Sequence, residues 1–252
     1  MKNYNIGIQL YSLKAQIAEL GLDAVLGILR DLGIDTVETA GFYDLSPSEI
    51  KEKLDSYGIR AHSAHIRAEK IEESLEYIDA LGVKKVIIPI APIYRYTPEE
   101  YAEFLVTVKR VKATLDERGI VFGYHNHYQE YMDGKDLVEK LLSDVVGLCS
   151  EIDIFWATVA KRDPVELIKK YGNKVCALHI KELGEVFEGE PRGGLLHAVV
   201  GEGYSRSRES IAAAMELGVD TYILEVEGYP IDFKDYIRLS VDNMKKFVKE
   251  NI

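Results

Sequence analysis

The sequence predicts an α/β fold, a single (β/α)8 or TIM barrel occupying residues 1–252, and three observations carry that prediction. Short apolar runs and helical patterns alternate strictly along the whole chain, as eight strand–helix pairs. Runs such as Val86-Ile87-Ile88-Pro89-Ile90 and Tyr222-Ile223-Leu224 are too continuously apolar for a sheet with one wet face. Strands of that kind belong to parallel sheets covered on both sides. No linker, low-complexity stretch or composition break marks a second domain, and a chain of 252 residues is the usual size of a closed eight-stranded barrel.

Taken in order, the strands are expected near 4–10, 34–39, 59–65, 84–90, 120–126, 146–153, 174–181 and 219–226. The helices fall near 22–32, 47–57, 69–81, 98–118, 134–143, 164–171, 207–217 and 233–249. Three helix starts are explicit: Ser46-Pro47-Ser48-Glu49, Thr97-Pro98-Glu99-Glu100 and Asp163-Pro164-Val165-Glu166. Each sets a capping side chain before a proline at the first helical position, with a glutamate following at N3. Glycines such as Gly58 and Gly119 stop the helices and hand the chain over to the next strand. The longest non-helical connection, about Glu182 to Arg206, reads as a cover over an active site, because loops of that length in a compact fold are usually functional or mobile.

Composition limits the partners. Hydrophobic residues make up 47% of the chain and charged residues 29%, enough apolar surface for a sizeable core. A net charge of −11 opposes attraction to nucleic acid or to an anionic membrane. The two cysteines, Cys149 and Cys176, lie in apolar runs and read as reduced and buried rather than as a disulfide framework. The first residues enter a strand pattern (YNIGIQL) with no signal-peptide layout, and no run approaches the roughly 18 apolar residues of a membrane helix. A soluble cytoplasmic protein acting on a small molecule is the expectation, with a homo-oligomer left open.

Chemistry in such a barrel sits at the carboxyl ends of the strands. Those ends carry Gln9 and Tyr11, then Glu38, His62 and His65, His125 and His127, Glu151 and Asp153, His179 and Lys181, and finally Glu225 and Glu227. Strand alternation puts Leu224 and Val226 on one face and Glu225 and Glu227 on the other, and turns His179 and Lys181 to the lumen. Buried carboxylates need partners. Asp153, His179 and Glu225 offer an O, N, O ligand set from three successive strands, which suits one divalent ion such as Mn²⁺, Mg²⁺, Co²⁺ or Zn²⁺. Gln9, Glu38 and His65, with Glu130, Trp156 and Lys181, are the candidate substrate contacts; Trp156 offers a ring to stack on a sugar, and Lys181 reads equally as an ion-pair partner. Gly201-Glu202-Gly203 superficially suggests a phosphate loop, but a glutamate between the glycines repels an anion.

Several stretches, in this order, resemble a known family. They are Gly7-Ile8-Gln9-Leu10-Tyr11-Ser12-Leu13, Val37-Glu38-Thr39-Ala40-Gly41-Phe42, Phe122-Gly123-Tyr124-His125-Asn126-His127 with Glu130, Glu151-Ile152-Asp153-Ile154-Phe155-Trp156-Ala157, Leu178-His179-Ile180-Lys181, Val200-Gly201-Glu202-Gly203, and Tyr222-Ile223-Leu224-Glu225. Together they resemble the xylose isomerase-like barrels, often grouped as sugar phosphate isomerases/epimerases. The resemblance implies a sugar isomerase or epimerase that moves a proton next to a carbonyl through an enediolate. In the ketose 3-epimerases of that group a divalent ion is held by Glu, Asp, His and Glu from strands 5 to 8. Asp153, His179 and Glu225 match the last three, while the first position falls at Gly123. A strand 5 histidine or Glu130 is then expected to complete the shell, or the ion keeps three protein ligands. The resemblance further implies Glu225 as one acid/base group, with His127 or His125 as the other. Replacing a carboxylate by imidazole points to a runner-up, a lyase or dehydratase or an enzyme that cleaves a 3-keto-glycoside. A DNA repair endonuclease of the same barrel type is disfavoured by the charge, and a non-catalytic sugar-binding barrel has no need of converging ligands.

Overall fold

The computed structural model describes residues 4–185 and 196–251. Eight parallel strands close into a barrel in sequence order. They are β1 (Asn5–Gln9), β2 (Thr36–Thr39), β3 (Arg60–His65), β4 (Lys85–Ile88), β5 (Val121–His125), β6 (Cys149–Asp153), β7 (Val175–Ile180) and β8 (Thr221–Leu224). β1 pairs with both β2 and β8, and the second pairing, from Asn5 opposite Thr221 to Ile8 opposite Leu224, shuts the sheet on itself.

The α-helices are α1 (Lys14–Leu20), α2 (Leu22–Asp31), α3 (Pro47–Ser56), α4 (Leu75–Leu81), α5 (Pro98–Asp116), α6 (Leu137–Asp144), α7 (Ile154–Val159), α8 (Pro164–Tyr171), α9 (Ser207–Glu216) and α10 (Phe233–Glu250). Ser46 and Thr97 form complete capping boxes with Glu49 and Glu100. Asp163 caps α8 through Val165 N without a reciprocal bond from Glu166. Two further departures are local. The helix expected over 69–81 begins as 3-10 turns at Ala68–Lys70 and Glu72–Ser74, becoming α-helical at Leu75. α1 and α7, both short, have no counterpart in the expected order, and Trp156 therefore sits on a helix instead of in a loop.

The strands end earlier than their apolar runs. β4 stops at Ile88 because Pro89 has no N–H to give to the ladder, and β8 stops at Leu224, so Glu225 and Glu227 lie past its last residue at the mouth. The main core packs between the strands' outer faces and the helices, with Leu26, Val108, Leu141 and Met244 fully buried. A small apolar plug of Ile87, Cys176 and Ala177, with Cys149 against it, forms a separate cluster. Both thiols are free; Cys176 is buried, while Cys149, at the first residue of β6, is half-buried and thus less enclosed than its apolar run suggests. A Cβ on Gly123 would come within 2.7 Å of Ile87 Cδ1 and 3.3 Å of Cys176 Sγ, so a side chain at this strand 5 position would require Ile87 to shift.

The connection after β7 is fastened at both sides of the segment 186–195, the part of the expected cover that lies outside the described residues. Leu183 bridges His197 in antiparallel fashion. The buried carboxylate of Glu182 accepts Gly201 N at 2.8 Å, Ser205 N at 2.6 Å and the hydroxyl of Ser207. The Gly201-Glu202-Gly203 turn therefore does contribute one N–H, from Gly201, to an anion, the internal carboxylate of Glu182. Gly203 is required by this packing, because a Cβ there would lie 2.2 Å from Leu183 O.

Candidate metal and substrate site

The lumen at the carboxyl end is polar. β6 delivers Asp153 opposite His179 of β7, and His125 of β5 pairs in register with Glu151. At the register shifts between Val37 and Glu38 and between Ser150 and Glu151, β3 and β7 each carry one extra residue, His62 and Cys176, and so change which residues stand opposite Glu38 and Glu151. Glu38, Glu151, Asp153 and His179 are completely buried, and His125 and Glu225 nearly so.

Among the described residues, two overlapping groups have ligand atoms close enough to hold a cation: His125, Asp153, His179 and Glu225, and His65, His125, Glu151 and His179. In the first, His179 Nδ1 lies 2.9 Å from Glu225 Oε2, and His125 Nε2 lies 3.9 Å from Asp153 Oδ2. In the second, Glu151 Oε2 is 2.7 Å from His65 Nε2, 3.2 Å from His179 Nε2 and 3.4 Å from His125 Nδ1.

Asp153 is held with care. One oxygen, Oδ1, caps α7 by accepting Trp156 N at 2.8 Å. Its backbone is clamped by Asn126, which accepts Asp153 N at 3.0 Å and donates to Asp153 O at 3.2 Å. The asparagine between the two histidines thus registers β5 against β6. The other oxygen, Oδ2, is buried without a hydrogen-bond partner among the described residues, as are His125 Nδ1, Glu38 Oε2 and Glu151 Oε1. Unpaired buried carboxylate oxygens are costly. A divalent ion ligated by carboxylates and imidazoles fits this donor set, which contains no thiolate.

Electrostatics express the same need. Burial pushes the Asp153 carboxyl up to about 8. Burial also opposes ionisation of Glu225, yet Lys181 and His179 hold its carboxyl well below the usual range. For His179 burial is outweighed by Glu151 and Glu38, so its imidazolium is favoured. His125 moves the other way, kept neutral by burial and by the nearby imidazoles of His179 and His65.

The remaining predicted residues divide into two sets. A cavity of about 470 Å³ opens above the cluster, and Gln9, His65, His125, His127 and Glu225 line it. Tyr11, Arg67, Ile90 and Glu227 complete much of its wall. Arg67 had no sequence signal separating it from a surface arginine. The other predicted contacts lie around this cavity without lining it. Glu38 sits beneath, bonded to Gln9 Nε2 at 2.9 Å and His179 Nε2 at 2.8 Å. Glu130 is spent as a brace, accepting Tyr124 OH at 2.7 Å and His127 N at 3.0 Å. Lys181 is fully buried, bonded to Glu227 at 2.9 Å and lying 4.8 Å and 4.7 Å from the ring centres of Phe155 and Trp156. Trp156 faces that ammonium and His127, its ring centre 5.6 Å from the imidazole.

Comparison with known proteins agrees with this architecture. The family model of the xylose isomerase-like TIM barrel matches residues 16–247. The chain belongs to that family. Inosose dehydratase of Geobacillus kaustophilus is 25% identical over 190 residues, covering 64% of this chain and 62% of that protein. The match thus spans about three fifths of the relative's length. A sugar phosphate isomerase/epimerase from Parabacteroides distasonis shares the fold with a TM-score of 0.76 at 22% identity, covering 98% of this chain and 96% of that one. A xylose isomerase-like TIM barrel protein from Mycobacterium smegmatis, solved in complex with magnesium, superposes with a TM-score of 0.77 at 18% identity, over 100% and 99% of the two chains.

Proposed function

We propose that this xylose isomerase-like barrel is a divalent-metal-dependent sugar isomerase or epimerase, moving a proton at the carbon next to a carbonyl. The observation that carries this reading is the convergence of His125, Asp153, His179 and Glu225 at the barrel mouth, with Asp153 Oδ2 buried and unpartnered. In this assignment the strand 5 contribution to the metal shell is His125, since Gly123 offers no side-chain ligand and Glu130 is bonded elsewhere. A divalent ion in that set supplies Lewis acidity towards a carbonyl and its neighbouring hydroxyl.

The chain's own groups then handle the proton. The Glu225 carboxylate, oriented by His179 Nδ1 and facing Lys181 Nζ at 3.9 Å, takes it from the α-carbon. His127, lining the same cavity, would be protonated before the step and give its own proton to the other face of that carbon or to the adjacent carbon, leaving Glu225 protonated and His127 neutral. Gln9 and His65 present hydrogen-bonding atoms at the cavity wall for substrate hydroxyls, and Lys181 keeps Glu227 in place at the rim.

A second reading is favoured by the imidazoles of strand 5 and by the inosose dehydratase relative. In it Glu225 takes the α-proton and a protonated His127 gives its own proton to a β-leaving group, releasing water, or the aglycone of a 3-keto-glycoside.

Purified protein incubated in D₂O with Mn²⁺ and a panel of ketoses, ketose phosphates, inososes and 3-keto-glycosides separates the readings. Deuterium in recovered substrate or isomer is expected for the first; loss of water or aglycone identifies the second. Undiminished turnover after complete chelation, or no exchange with any panel member, would refute the proposal. Asp153→Ala is expected to abolish retention of the ion and to lower turnover by at least about 10²-fold, the scale seen when charge stabilisation is removed from an active site.

A further inference from the structure

Glu38 reads from the sequence as a substrate contact, and its surroundings assign it a different task. It is completely buried, while the cavity wall above is formed by its neighbours Gln9 and His65. Its nearest functional partner lies across the lumen, 141 residues away in sequence: Oε1 is 2.8 Å from His179 Nε2. The opposite nitrogen of the same ring, Nδ1, faces Glu225 at 2.9 Å, on the side of the proposed ion.

An imidazole that binds a metal through one nitrogen carries its proton on the other, and a fixed acceptor there sets both the tautomer and the angle of the ring. An ionised carboxylate is an acceptor with no proton to give, so an N–H of His179 faces Glu38, and a cation that displaces the Nδ1 proton would meet the lone pair of that nitrogen on the Glu225 side. Glu38 is itself immobilised. Its Oε1 also accepts Gln9 Nε2 at 2.9 Å and lies 3.0 Å from His65 Nε2, while Gln9 Nε2 contacts His65 Nδ1 at 2.8 Å. Three strands, β1 to β3, thereby act on a ligand supplied by β7. Glu38 belongs to neither ligand group that could close on a cation.

We propose that Glu38 is a positioning residue that acts through His179, presenting the Nδ1 lone pair to the divalent ion. The inference rests on the metal reading of His125, Asp153, His179 and Glu225. Its test uses Mn²⁺ alone as probe, with free ion followed by electron paramagnetic resonance, on the metal-stripped wild-type, Glu38→Ala, Glu38→Gln and Asp153→Ala proteins. The expected result is one Mn²⁺ bound in the wild type and both Glu38 variants, with affinity about 10–100-fold weaker in Glu38→Ala, the range for loss of such an outer partner. Glu38→Gln, whose amide oxygen still accepts the N–H, restores most of that loss and serves as the variant of preserved volume.

The Co²⁺-loaded proteins add a signature that a packing defect would not reproduce. A shifted, slowly exchanging imidazole N–H resonance is expected in wild type and Glu38→Gln, and is lost to solvent exchange in Glu38→Ala. Wild-type affinity in Glu38→Ala overturns the proposal, and so does the loss of a whole ion in both Glu38 variants, which would make Glu38 a ligand. If Asp153→Ala also binds Mn²⁺ normally, the metal reading fails and the positioning role falls with it. If Asp153→Ala loses the ion while Glu38→Ala keeps full affinity, only the positioning role fails.

Discussion

His62 and His179 show how the same side chain is given opposite charge preferences by its neighbours. His179, between carboxylates, is driven towards imidazolium, as described above. His62, near the opposite end of β3, is pushed down to about 4, first by burial and then by repulsion from Lys85 and Arg60, against the weaker pull of Asp220 and Glu38. Thr221 Oγ1 donates to Asp220 at 2.8 Å, leaving its oxygen to face His62 Nε2 at 3.2 Å, so the neutral Nε2–H tautomer is the one that fits. A folded-state value below the unfolded value of about 6.5 means that this histidine's contribution to stability is complete above pH 6.5 and is lost as pH falls towards 4. Wild-type protein is therefore expected to lose more stability between pH 7.5 and 5 than His62→Gln, in which the amide N–H stands in for Nε2–H. Urea midpoints at the two pH values measure it, and parallel losses in both proteins would remove His62 from the pH response.

Where a strand becomes a helix, elements and chemistry share residues. Asp153 ends β6 and caps α7 with one oxygen, which fixes the direction of the other towards the proposed ion. The caps that were legible in the sequence, at Ser46 and Thr97, stand beside proline and three residues before glutamate, on long amphipathic segments. The cap at Asp153 was not legible, because α7 has six residues, follows its strand without a loop and lacks those flanking signals. Thr97→Ala is expected to destabilise the protein by about 1 kcal/mol, through loss of the acceptor for Glu100 N, as measured by denaturant unfolding. Gly7→Ala tests the barrel wall, since its Cβ would fall 2.4 Å from Thr36 O on the neighbouring strand. The expected cost is about 1–3 kcal/mol, and a neutral effect would mean that β1 and β2 are less tightly apposed. The eight strands and the acid and imidazole tips could be read from alternation and punctuation. Which tip residues meet could not, because that depends on barrel stagger and on the register shifts before Glu38 and Glu151. Glu130 illustrates the limit: its place next to the histidines in sequence suggested a role at the cavity, yet Tyr124 OH and His127 N occupy its carboxylate.

Across the whole barrel the buried charges are distributed unevenly between its halves. β1 to β3 supply Gln9, Glu38 and His65, which brace His179, whereas the proposed ligands His125, Asp153, His179 and Glu225 come from the ends of β5 to β8. An ion bound there would draw on four adjacent strand ends and on Asp153 Oδ2, which lacks a partner among the described residues, so it would bind the folded barrel and not the unfolded chain. Mass action then requires stabilisation of about 2.7 kcal/mol at a free-ion concentration 100 times Kd. For a chain of this size each kcal/mol moves the melting temperature by roughly 2–4 °C, so Mn²⁺ is expected to raise Tm over the chelated protein by about 5–10 °C. Asp153→Ala should melt at one temperature with or without Mn²⁺, while Thr97→Ala, changed far from the mouth, should keep the full metal-dependent shift below a lowered baseline. Those two responses together separate an ion held by the strand tips from one adhering to the acidic surface, because a surface ion would stabilise both variants alike.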